Sequence, residues 1–522
     1  MMVRKSTWCV VLALLLATAI VPLASAERVL NSAVEYRPYA LDPGKAQLVD
    51  NTIVTGNTYE CLLTWDLPAM SAKGALAERW EIAADGKSCT FYLRHGVKFH
   101  DGTDFDSAAV EYSWTRMKAL DAGPAKSFTN VVGCEVIDPY TVKFTAADTY
   151  AFWENAFAGF DGFKVVSPTA VEAHKTADDP YAQNWLAEKI VGTGPYMLTE
   201  YVQGQYIILT AFSDYWGGWT DDQFDKIVLK IMIEPAARGS ALLAGDVQCS
   251  TSVPNTLYPE IEANPNYTIY VTESGSIQDI YLKCHRGPLA NKMLRKAIAY
   301  AVDYDSIREC MRYSVAPCGP LASWLPGASS DCGCIQHQDL EMARYYMELA
   351  GVAPGELELD FSIVTATDFH ECEALIVQQN LADVGIKVNI EPKAWADFSV
   401  ESRDANISNA MSTQYGAAAG SEPYDVFLLN YSNKSALDPN YGWNNGYVND
   451  LVSGWIDQLA LEPDGAKRAE LAYKISEVLV EDAGFVFLFT VPYVVVMQSD
   501  ITGYKGIPIN RALILFYSLH QA

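Results

Sequence analysis

The sequence predicts an α/β protein of at least two domains, and three observations support this fold class. The chain has 522 residues, of which 50% are hydrophobic, so it is long enough to bury a large core and to divide into domains. Residues 357–390 have the strand–helix–strand pattern of a parallel sheet. Residues 79–102 instead alternate short apolar runs with turn dipeptides, which is typical of antiparallel strands.

The net charge narrows the classes of partner. Lys and Arg number 37 against 64 Asp and Glu, which gives a formal charge of −27 at pH 7. A surface this acidic repels phosphate backbones and anionic lipid headgroups. The sequence therefore predicts that nucleic acid is not a partner.

The N-terminus predicts secretion. Two basic residues, Arg4 and Lys5, precede an apolar stretch at residues 8–21, and small residues follow at 24–26. This order is typical of a cleavable signal peptide, and the apolar stretch is shorter than the roughly 20 residues that a membrane anchor requires. We expect cleavage after residue 26. Because no cysteine lies at the cleavage site to accept a lipid, the expected product is periplasmic and has no lipid anchor.

Eleven cysteines are present, and ten of them follow the predicted signal peptide. Cysteines pair readily in an oxidising compartment. They are densest between Cys310 and Cys334, where Cys332-Gly333-Cys334 has the spacing of half a zinc site without a second pair. We therefore expect disulfides rather than a metal in this segment.

The stretch FYLRHGVKFHDGTDFD, residues 91–106, concentrates histidines and aspartates and raises the question of a metal or catalytic site. Turn dipeptides separate its apolar runs, so we expect a β-meander whose third strand is residues 97–99. The two-residue period then points His100 away from the core and leaves His95 in a turn, so the two imidazoles are not expected to converge. Asp106 precedes an amphipathic helix and is predicted to be its N-cap.

The strand–helix–strand unit carries the sharpest prediction of a site. Residues 357–365 are predicted to be a strand, residues 368–385 a helix and residues 386–390 a second strand, and such a crossover makes the two strands parallel. His370 follows the first strand and Trp395 follows the second. Both are therefore expected at the edge where open α/β sheets bind ligands.

A third strand is predicted at residues 424–431. If it is also parallel, it delivers Tyr431, Ser432 and Lys434 to the same edge. The preceding segment, residues 405–423, is rich in small and polar residues and is predicted to be a loop. Such a loop is either a mobile rim of the site or an inert insertion.

Several ordered motifs resemble those of one known family. They are LAERWEIAADGKSCTFYLRHGVKFHDGTDFDSAAVEYSW from residue 76, IVGTGPYMLTEYVQGQYIILTAFSDYWGG from residue 190, LLAGDVQ from residue 242, LRKAIAYAVD from residue 294 and DLEMARYYMELAG from residue 339. Together they resemble the peptide/nickel family of solute-binding proteins that serve ABC importers. The similarity runs over nearly all of the chain after residue 26.

This resemblance implies a two-lobed periplasmic-binding-protein fold, a clamshell, with an additional subdomain. The implied boundaries are residues 27–62, 188–273 and 488–522 for lobe I, 63–187 for the additional subdomain and 274–487 for lobe II. The chain then crosses between the lobes near residues 274–281 and 484–492, and these crossings are the predicted hinge. Lobes of this kind close around a ligand by hinge bending.

The resemblance also implies a ligand cleft between the lobes. In that family the positions matched by His370, Trp395 and Tyr431 border the cleft, which agrees with the argument from the sheet edge. Arg403 is a further candidate, because a planar guanidinium grips a ligand carboxylate well. The complete set of candidate ligand-binding residues is His370, Trp395, Arg403, Asn430, Tyr431, Ser432 and Lys434.

One departure from the family concerns the ligand. Peptide-binding members place an aspartate after the third strand to pair with the peptide's α-ammonium, whereas the matching position here falls at Asn433 or Lys434. A lysine about 4 Å from an ammonium would cost about 4 kcal/mol at an effective dielectric of about 20. Asp438 takes the position instead if the loop holds an insertion. A peptide-like solute remains the leading prediction, and the alternatives are an oligosaccharide, a small anionic solute and a nickel chelate.

Two classes of function compete, a transport receptor and a secreted hydrolase. A receptor needs no catalyst, cofactor or resident metal, and its expected partners are the solute and the transmembrane subunits of an ABC permease, with the receptor itself a monomer. The sequence contains no G-x-S-x-G, no H-E-x-x-H and no paired metal-ligand motif, and its seven histidines are scattered. We therefore predict a binding protein rather than an enzyme.

Overall fold

The computed structural model describes residues 27–35, 38, 41–45, 49–67, 71–159, 162–365, 368–404, 410–416, 422–437, 446–509 and 513–522. The predicted signal peptide, residues 1–26, and Asp438 lie outside these ranges. Within the ranges, no helix has the length and apolar character that crossing a bilayer requires.

Residues 27–187 contain seven strands and five α-helices among the described segments. These are β1 (Val29–Val34), α1 (Val49–Thr58), β2 (Leu63–Asp66), β3 (Ser71–Gly74), β4 (Ala77–Ile82), β5 (Ser88–Leu93), α2 (Ser107–Leu120), β6 (Val131–Asp138), β7 (Thr141–Ala146), α3 (Trp153–Ala158), α4 (Pro168–His174) and α5 (Gln183–Leu186).

The chain then forms β8 (Tyr196–Val202), β9 (Tyr206–Ala211), β10 (Lys226–Ile231), α6 (Pro235–Leu243), β11 (Cys249–Thr251), α7 (Tyr258–Glu262) and β12 (Tyr267–Leu282). The remaining elements are α8 (Lys292–Ala301), α9 (Tyr304–Glu309), α10 (Leu340–Ala350), β13 (Leu357–Val364), α11 (Asp368–Ala382), β14 (Ile386–Lys393), α12 (Trp395–Glu401), β15 (Ala410–Gly416), α13 (Pro423–Tyr431), α14 (Asn433–Leu437), α15 (Asp450–Leu461), α16 (Gly465–Asp482), β16 (Phe485–Gln498), β17 (Ile501–Thr502) and β18 (His520–Gln521).

Short polar side chains begin many of the helices. Asp106 accepts a hydrogen bond from the amide of Ala109 at 3.0 Å, so its predicted role as the N-cap of α2 is confirmed. Helices α8, α9, α10, α15 and α16 begin in the same way, each after an Asp or Asn whose side chain accepts from a first-turn amide. Such caps satisfy backbone donors that have no partner within the helix.

A four-stranded antiparallel sheet, ordered β4-β5-β7-β6, lies in the predicted additional subdomain. Gly86 in the predicted turn between β4 and β5 has φ +67°, an angle that glycine adopts without steric cost. The predicted third strand, residues 97–99, is wrong. That run forms an isolated bridge between Lys98 and Asp104, because three residues between two turns are too few to pair along their length. Strand β7 takes the place beside β5.

A ten-stranded sheet connects the two predicted lobes, in the order β14-β13-β15-β12-β16-β11-β1-β10-β9-β8. The long strands β12 and β16 lie at its centre. Residues 267–273 of β12 pair with 492–498 of β16, residues 277–281 pair with 485–490, and the register shifts between Glu273 and Ile277. The lobe boundaries predicted after residues 273 and 487 fall within these two strands.

The third strand of the parallel unit is not where the sequence predicted it. Strand β15 lies in the predicted loop and pairs parallel with β13 and antiparallel with β12. Residues 424–431, predicted to be that strand, belong to α13 instead. A short apolar run does not by itself distinguish a buried helix from a strand, and Pro423 at the first helical position favours a helix. The parallel pairing of β13 with β14 is confirmed.

Hydrophobic clusters cover both faces of the ten-stranded sheet in the predicted lobe II. Phe361 and Ile280 belong to the cluster that packs under α8 and α11. Tyr281, the next residue of β12, belongs to the cluster on the opposite face, under α13, α15 and α16. The alternation of adjacent side chains between the two faces follows the two-residue period of a strand.

Candidate functional site

The parallel strands on both sides of β12 and β16 end at the predicted hinge. In the predicted lobe II, Gly416 at the end of β15 pairs with Ile277 of β12, within the predicted crossing at residues 274–281. In lobe I, β11 is antiparallel to β16, and β1 and β10 are parallel to β11, so these three strands also end on the hinge side. Open α/β sheets bind ligands beyond the carboxyl ends of their strands. The region between the two sets of strand ends is therefore the candidate site, and we refer to it as the cleft.

A buried arginine fixes the lobe I side of this cleft. Arg238 is 1% exposed, and its guanidinium donates to the carbonyls of Met232 and Ile233 beyond β10 and of Thr251 and Ser252 at the end of β11. It also donates to the Glu35 carboxylate beyond β1, at 3.2 Å. One side chain thus binds carbonyls beyond two strand ends and a carboxylate beyond a third.

His370 and Trp395 both follow strands of lobe II, as predicted, but their environments differ. His370 is 3% exposed, lies 4.2 Å from the Phe369 ring, and has its pKa lowered to about 4 by burial, so it is a neutral group within the lobe. Trp395 is 55% exposed at the first residue of α12, with its ring 6.0 Å from that of Phe398. The tryptophan offers an accessible stacking surface.

Asn430, Tyr431 and Ser432 do not lie on a rim. All three are buried, because α13 packs against a face of the sheet. The Tyr431 hydroxyl donates to Asp279 at 3.4 Å, and Asn430 accepts from the Tyr281 hydroxyl at 3.2 Å. The edge position predicted for Tyr431 and Ser432 is therefore wrong, since it depended on a strand that is a helix.

The two cationic candidates, Lys434 and Arg403, lie on or beside helices. Lys434 is on α14, where its ammonium pairs with Asp457 of α15 at 3.0 Å and its side chain is 55% exposed. Arg403 follows α12 and is half-buried. Its contact with a ligand carboxylate stays a prediction.

The sequence interpretation missed the residues that follow the true third strand. Glu422 forms an ion pair with Arg468 of α16 at 2.9 Å. The Tyr424 ring stacks on Phe152 of the additional subdomain, with 5.0 Å between centroids and an interplanar angle of 18°. Burial raises the pKa of Asp425 to about 6, and the negative charge of Glu422 adds to this effect. Pro423, read as a helix start, would have indicated α13 from the sequence.

A buried polar cluster lies in the predicted lobe II, beside the predicted hinge. The Gln278 amide of β12 donates to the Glu373 carboxyl of α11 at 2.8 Å, and the Thr413 hydroxyl of β15 donates to the same carboxyl at 3.5 Å. Glu373 is fully buried, and burial raises its pKa to about 8. The carboxyl is therefore mostly protonated at neutral pH.

The two histidines of residues 91–106 have separate partners. His95 stacks on Tyr140 with 3.7 Å between ring centroids. His100 has one ring nitrogen 2.9 Å from the Gly194 carbonyl and accepts from the Gly192 amide at 3.3 Å with the other, and burial lowers its pKa to about 4. The prediction that they do not converge is confirmed. Across the described ranges, no group of three or more His, Cys, Asp or Glu residues is arranged to hold a metal ion.

The family model described as bacterial extracellular solute-binding proteins, family 5, middle, matches residues 71–450. The chain belongs to this family. The match covers well over half of the sequence and confirms the resemblance drawn from the motifs. As a family 5 solute-binding protein, the chain has an extracytoplasmic location.

Individual relatives extend the match to most of this solute-binding protein. A probable D,D-dipeptide-binding periplasmic protein of Escherichia coli is 26% identical over 484 residues, which cover 90% of this chain and 89% of that protein. The periplasmic binding protein DppA of Helicobacter pylori, solved with the peptide STSA, has a TM-score of 0.77 at 24% identity and covers 94% of this chain and 98% of that chain. NikA of Brucella suis, solved with Fe(III)-EDTA, has a TM-score of 0.82 at 22% identity, covering 95% and 100%. The predicted two-lobed α/β fold is confirmed.

Proposed function

We propose that this protein is the receptor of an ABC importer, which captures a peptide-like solute between its lobes and presents it to the transmembrane subunits of a permease. The observation that carries the proposal is the sheet itself. Two sets of parallel strands end at one hinge, and β12 and β16 cross that hinge. A site built from two bodies encloses a solute by bending at the strands that join them.

The peptide-like class is supported by the relatives and by the charges near α13. A relative bears the name of a dipeptide-binding protein, and one solved neighbour holds the peptide STSA. A free peptide carries an ammonium, which requires a carboxylate partner in a cleft that excludes water. Asp425 follows the third parallel strand and is the side chain that we assign to this role.

Asp425 suits the role better than its neighbour does. The Glu422 carboxylate already pairs with Arg468, whose guanidinium also donates to the carbonyls of Glu462 and Pro463. Asp425 lies in the first turn of α13, where the helix dipole favours its negative charge. Lys434, with its exposed partner Asp457, then has no part in repelling the ammonium.

We also propose that residues 1–26 are removed on secretion, and that the product is a periplasmic monomer without a lipid anchor. The support is the order of charged, apolar and small residues in that segment. The intact mass of protein secreted by a bacterial host tests this. It should begin at Glu27, and a mass that includes residues 1–26 or an added lipid would contradict the proposal.

The experiment that tests the receptor function identifies the solute. Protein purified from the periplasm without a histidine tag is denatured, and the released small molecules are weighed by mass spectrometry and then titrated back by calorimetry. We expect an unmodified di- or oligopeptide that binds with one-to-one stoichiometry. A sugar, a small acid or a metal chelate would overturn the peptide class alone, whereas recovery of cleaved peptides would make the protein a hydrolase.

A further inference from the structure

A segment of lobe II that the cleft does not use lies across the hinge. Residues 312–334, between α9 and α10, contain one short 3₁₀ turn and isolated bridges, and we call them the hinge strap. At its start, the Arg312 guanidinium and the Tyr313 hydroxyl both bind the Glu262 carboxylate of α7 in lobe I, with the shortest contact for each at 2.6 Å.

The hinge strap also contacts both crossing strands. The amide of Thr490 in β16 donates to the Val315 carbonyl at 2.8 Å. Ser323 donates through its amide and its hydroxyl to the Glu273 carboxylate of β12, at 3.0 and 2.6 Å. Trp324 donates to the Ser274 carbonyl, beside the register shift of β12. Any change in the angle between the lobes must therefore move this strap or break its contacts.

Three cysteines lie within the hinge strap. The Cys332 sulfur lies 3.6 Å from the Cys318 carbonyl oxygen, and a Cβ placed on Gly319 would lie 3.0 Å from that sulfur. Cys334 is two residues beyond Cys332, and all three are free thiols in the structure. Directly before the strap, Cys310 forms a disulfide with Cys372 of α11, with 5.9 Å between Cα atoms. This part of the protein thus already holds one cross-link.

We propose that Cys318 and Cys332 are a modification site that closes a second disulfide, which ties the hinge strap into a loop against the crossing strands. The Cys332 sulfur already touches the Cys318 backbone, so rotation of the short Cys318 side chain completes the approach. Cys334 remains as a neighbouring thiol. The effect on lobe opening follows only if the lobes move as the proposed function requires.

The chemistry of the cross-link is a thiol–disulfide exchange. The two thiols react with a disulfide donor, protein or small molecule, to give one intramolecular disulfide and two reduced donor thiols. Two electrons and two protons pass from the cysteines to the donor. The donor is needed because two thiols cannot become a disulfide without a two-electron oxidant. Burial raises the pKa of the Cys332 thiol and raises that of Cys334 to about 12, so few thiolates are present and the exchange is slow.

Peptide mapping tests the cross-link directly. The full chain is secreted, purified without reductant, denatured in N-ethylmaleimide and digested. No Lys or Arg lies between Arg312 and Arg344, so trypsin releases residues 313–344 with all three cysteines together. We expect this peptide to carry one maleimide and to lack two hydrogens, and chymotryptic cleavage after Trp324 to leave Cys318 joined to the peptide of Cys332.

Variants separate this pairing from its alternatives. Cys334→Ser should keep the link and lose the remaining maleimide, whereas Cys318→Ser should leave Cys332 alkylated. Cys284→Ser, a half-buried thiol outside the strap, is the matched control and should change nothing in this peptide. Three maleimides on residues 313–344, both before and after incubation with oxidised glutathione, would overturn the proposal. A link to Cys334 would overturn the assigned pair.

Hydrogen exchange tests the mechanical consequence without any solute, so its failure differs from a failure of the proposed function. In Cys318→Ser protein, the Thr490 amide that donates to Val315 should exchange at least about fivefold faster than in the cross-linked protein. In Cys284→Ser protein, which keeps the cross-link, the Thr490 amide should exchange at the wild-type rate. Equal exchange in all three proteins would show that the disulfide does not stiffen the strap.

Discussion

At the scale of single residues, burial sets the charge of the side chains around the cleft. His370 is held neutral because burial lowers its pKa to about 4, and Glu373 is held largely protonated because burial raises its pKa to about 8. Asp425, with a pKa raised to about 6, is still mostly ionised at neutral pH. Of these three acid–base groups, Asp425 is therefore the one that keeps a negative charge for a cationic solute.

Replacing Asp425 with Asn tests its pairing with the ammonium. A charge-assisted hydrogen bond contributes about 1.5–3 kcal/mol, so we expect affinity for a free-amine peptide to fall at least about tenfold at pH 7. Wild-type affinity should also fall about tenfold between pH 7 and pH 5 as the Asp425 carboxylate is protonated, and the variant should lose this dependence. Calorimetry measures both effects.

The matched control for this substitution is Asp457→Asn, which removes the exposed partner of Lys434. It should leave affinity and its pH dependence unchanged. Unaltered binding by Asp425→Asn, or an equal loss in the control, would remove Asp425 from the site.

Replacing Glu373 with Gln tests the buried cluster. The folded-state pKa near 8 exceeds the usual value of 4.5, so the folded state binds more protons between these values and stability falls as pH rises through that window. Glu373→Gln removes this slope. As the pH rises from 5 to 8, the free energy of unfolding of the variant should increase by roughly 3 kcal/mol relative to that of wild type, since one pKa unit corresponds to about 1.36 kcal/mol. Urea unfolding at several pH values measures this difference. If the free energies of unfolding of the two proteins changed with pH in parallel, the raised pKa of Glu373 would be contradicted.

Trp395→Ala tests whether the exposed indole contacts the solute. Because the side chain is 55% exposed, its loss should leave the melting temperature within about 1 °C while weakening solute binding about fivefold or more. Val400→Ala, at a residue 73% exposed on the same helix, is the control and should alter neither. A drop in melting temperature without a loss of affinity would make Trp395 a packing residue.

At the scale of elements, the sequence predicts a segment well where its periodicity has one interpretation. The crossover from β13 through α11 to β14 was predicted correctly, since an amphipathic helix between two apolar strands fits a parallel unit. The third strand was misplaced because β15 is short and carries small, polar residues, while the more apolar residues 424–431 coil into α13. Because of that error, three residues that are buried were chosen as candidate site residues.

The N-cap of α2 allows a prediction about one element. Asp106→Ala removes the acceptor for the Ala109 amide and should cost about 1 kcal/mol of local stability. Amides in the first turn of α2 should then exchange hydrogen about fivefold faster, whereas Asp106→Ser, which can still accept, should stay near wild type. Equal exchange in the two variants would mean that another group caps the helix.

At the scale of the whole molecule, one ten-stranded sheet continues through both predicted lobes. The motifs identified the family, and the resemblance to that family implied two lobes. The sequence alone could not show that β12 and β16 continue through both of them. Strand pairing between residues over 200 positions apart, such as Thr268 with Met497, depends on tertiary contacts that no local pattern encodes. The broken register near Glu273 then marks where bending costs fewest ladder hydrogen bonds.

Small-angle X-ray scattering with and without the solute recovered from the protein tests the central claim, which is capture by closure at the hinge. At saturating solute, confirmed by calorimetry on the same sample, the radius of gyration should decrease and the solute should be recovered intact. Scattering curves that superimpose while the solute is bound would contradict the account.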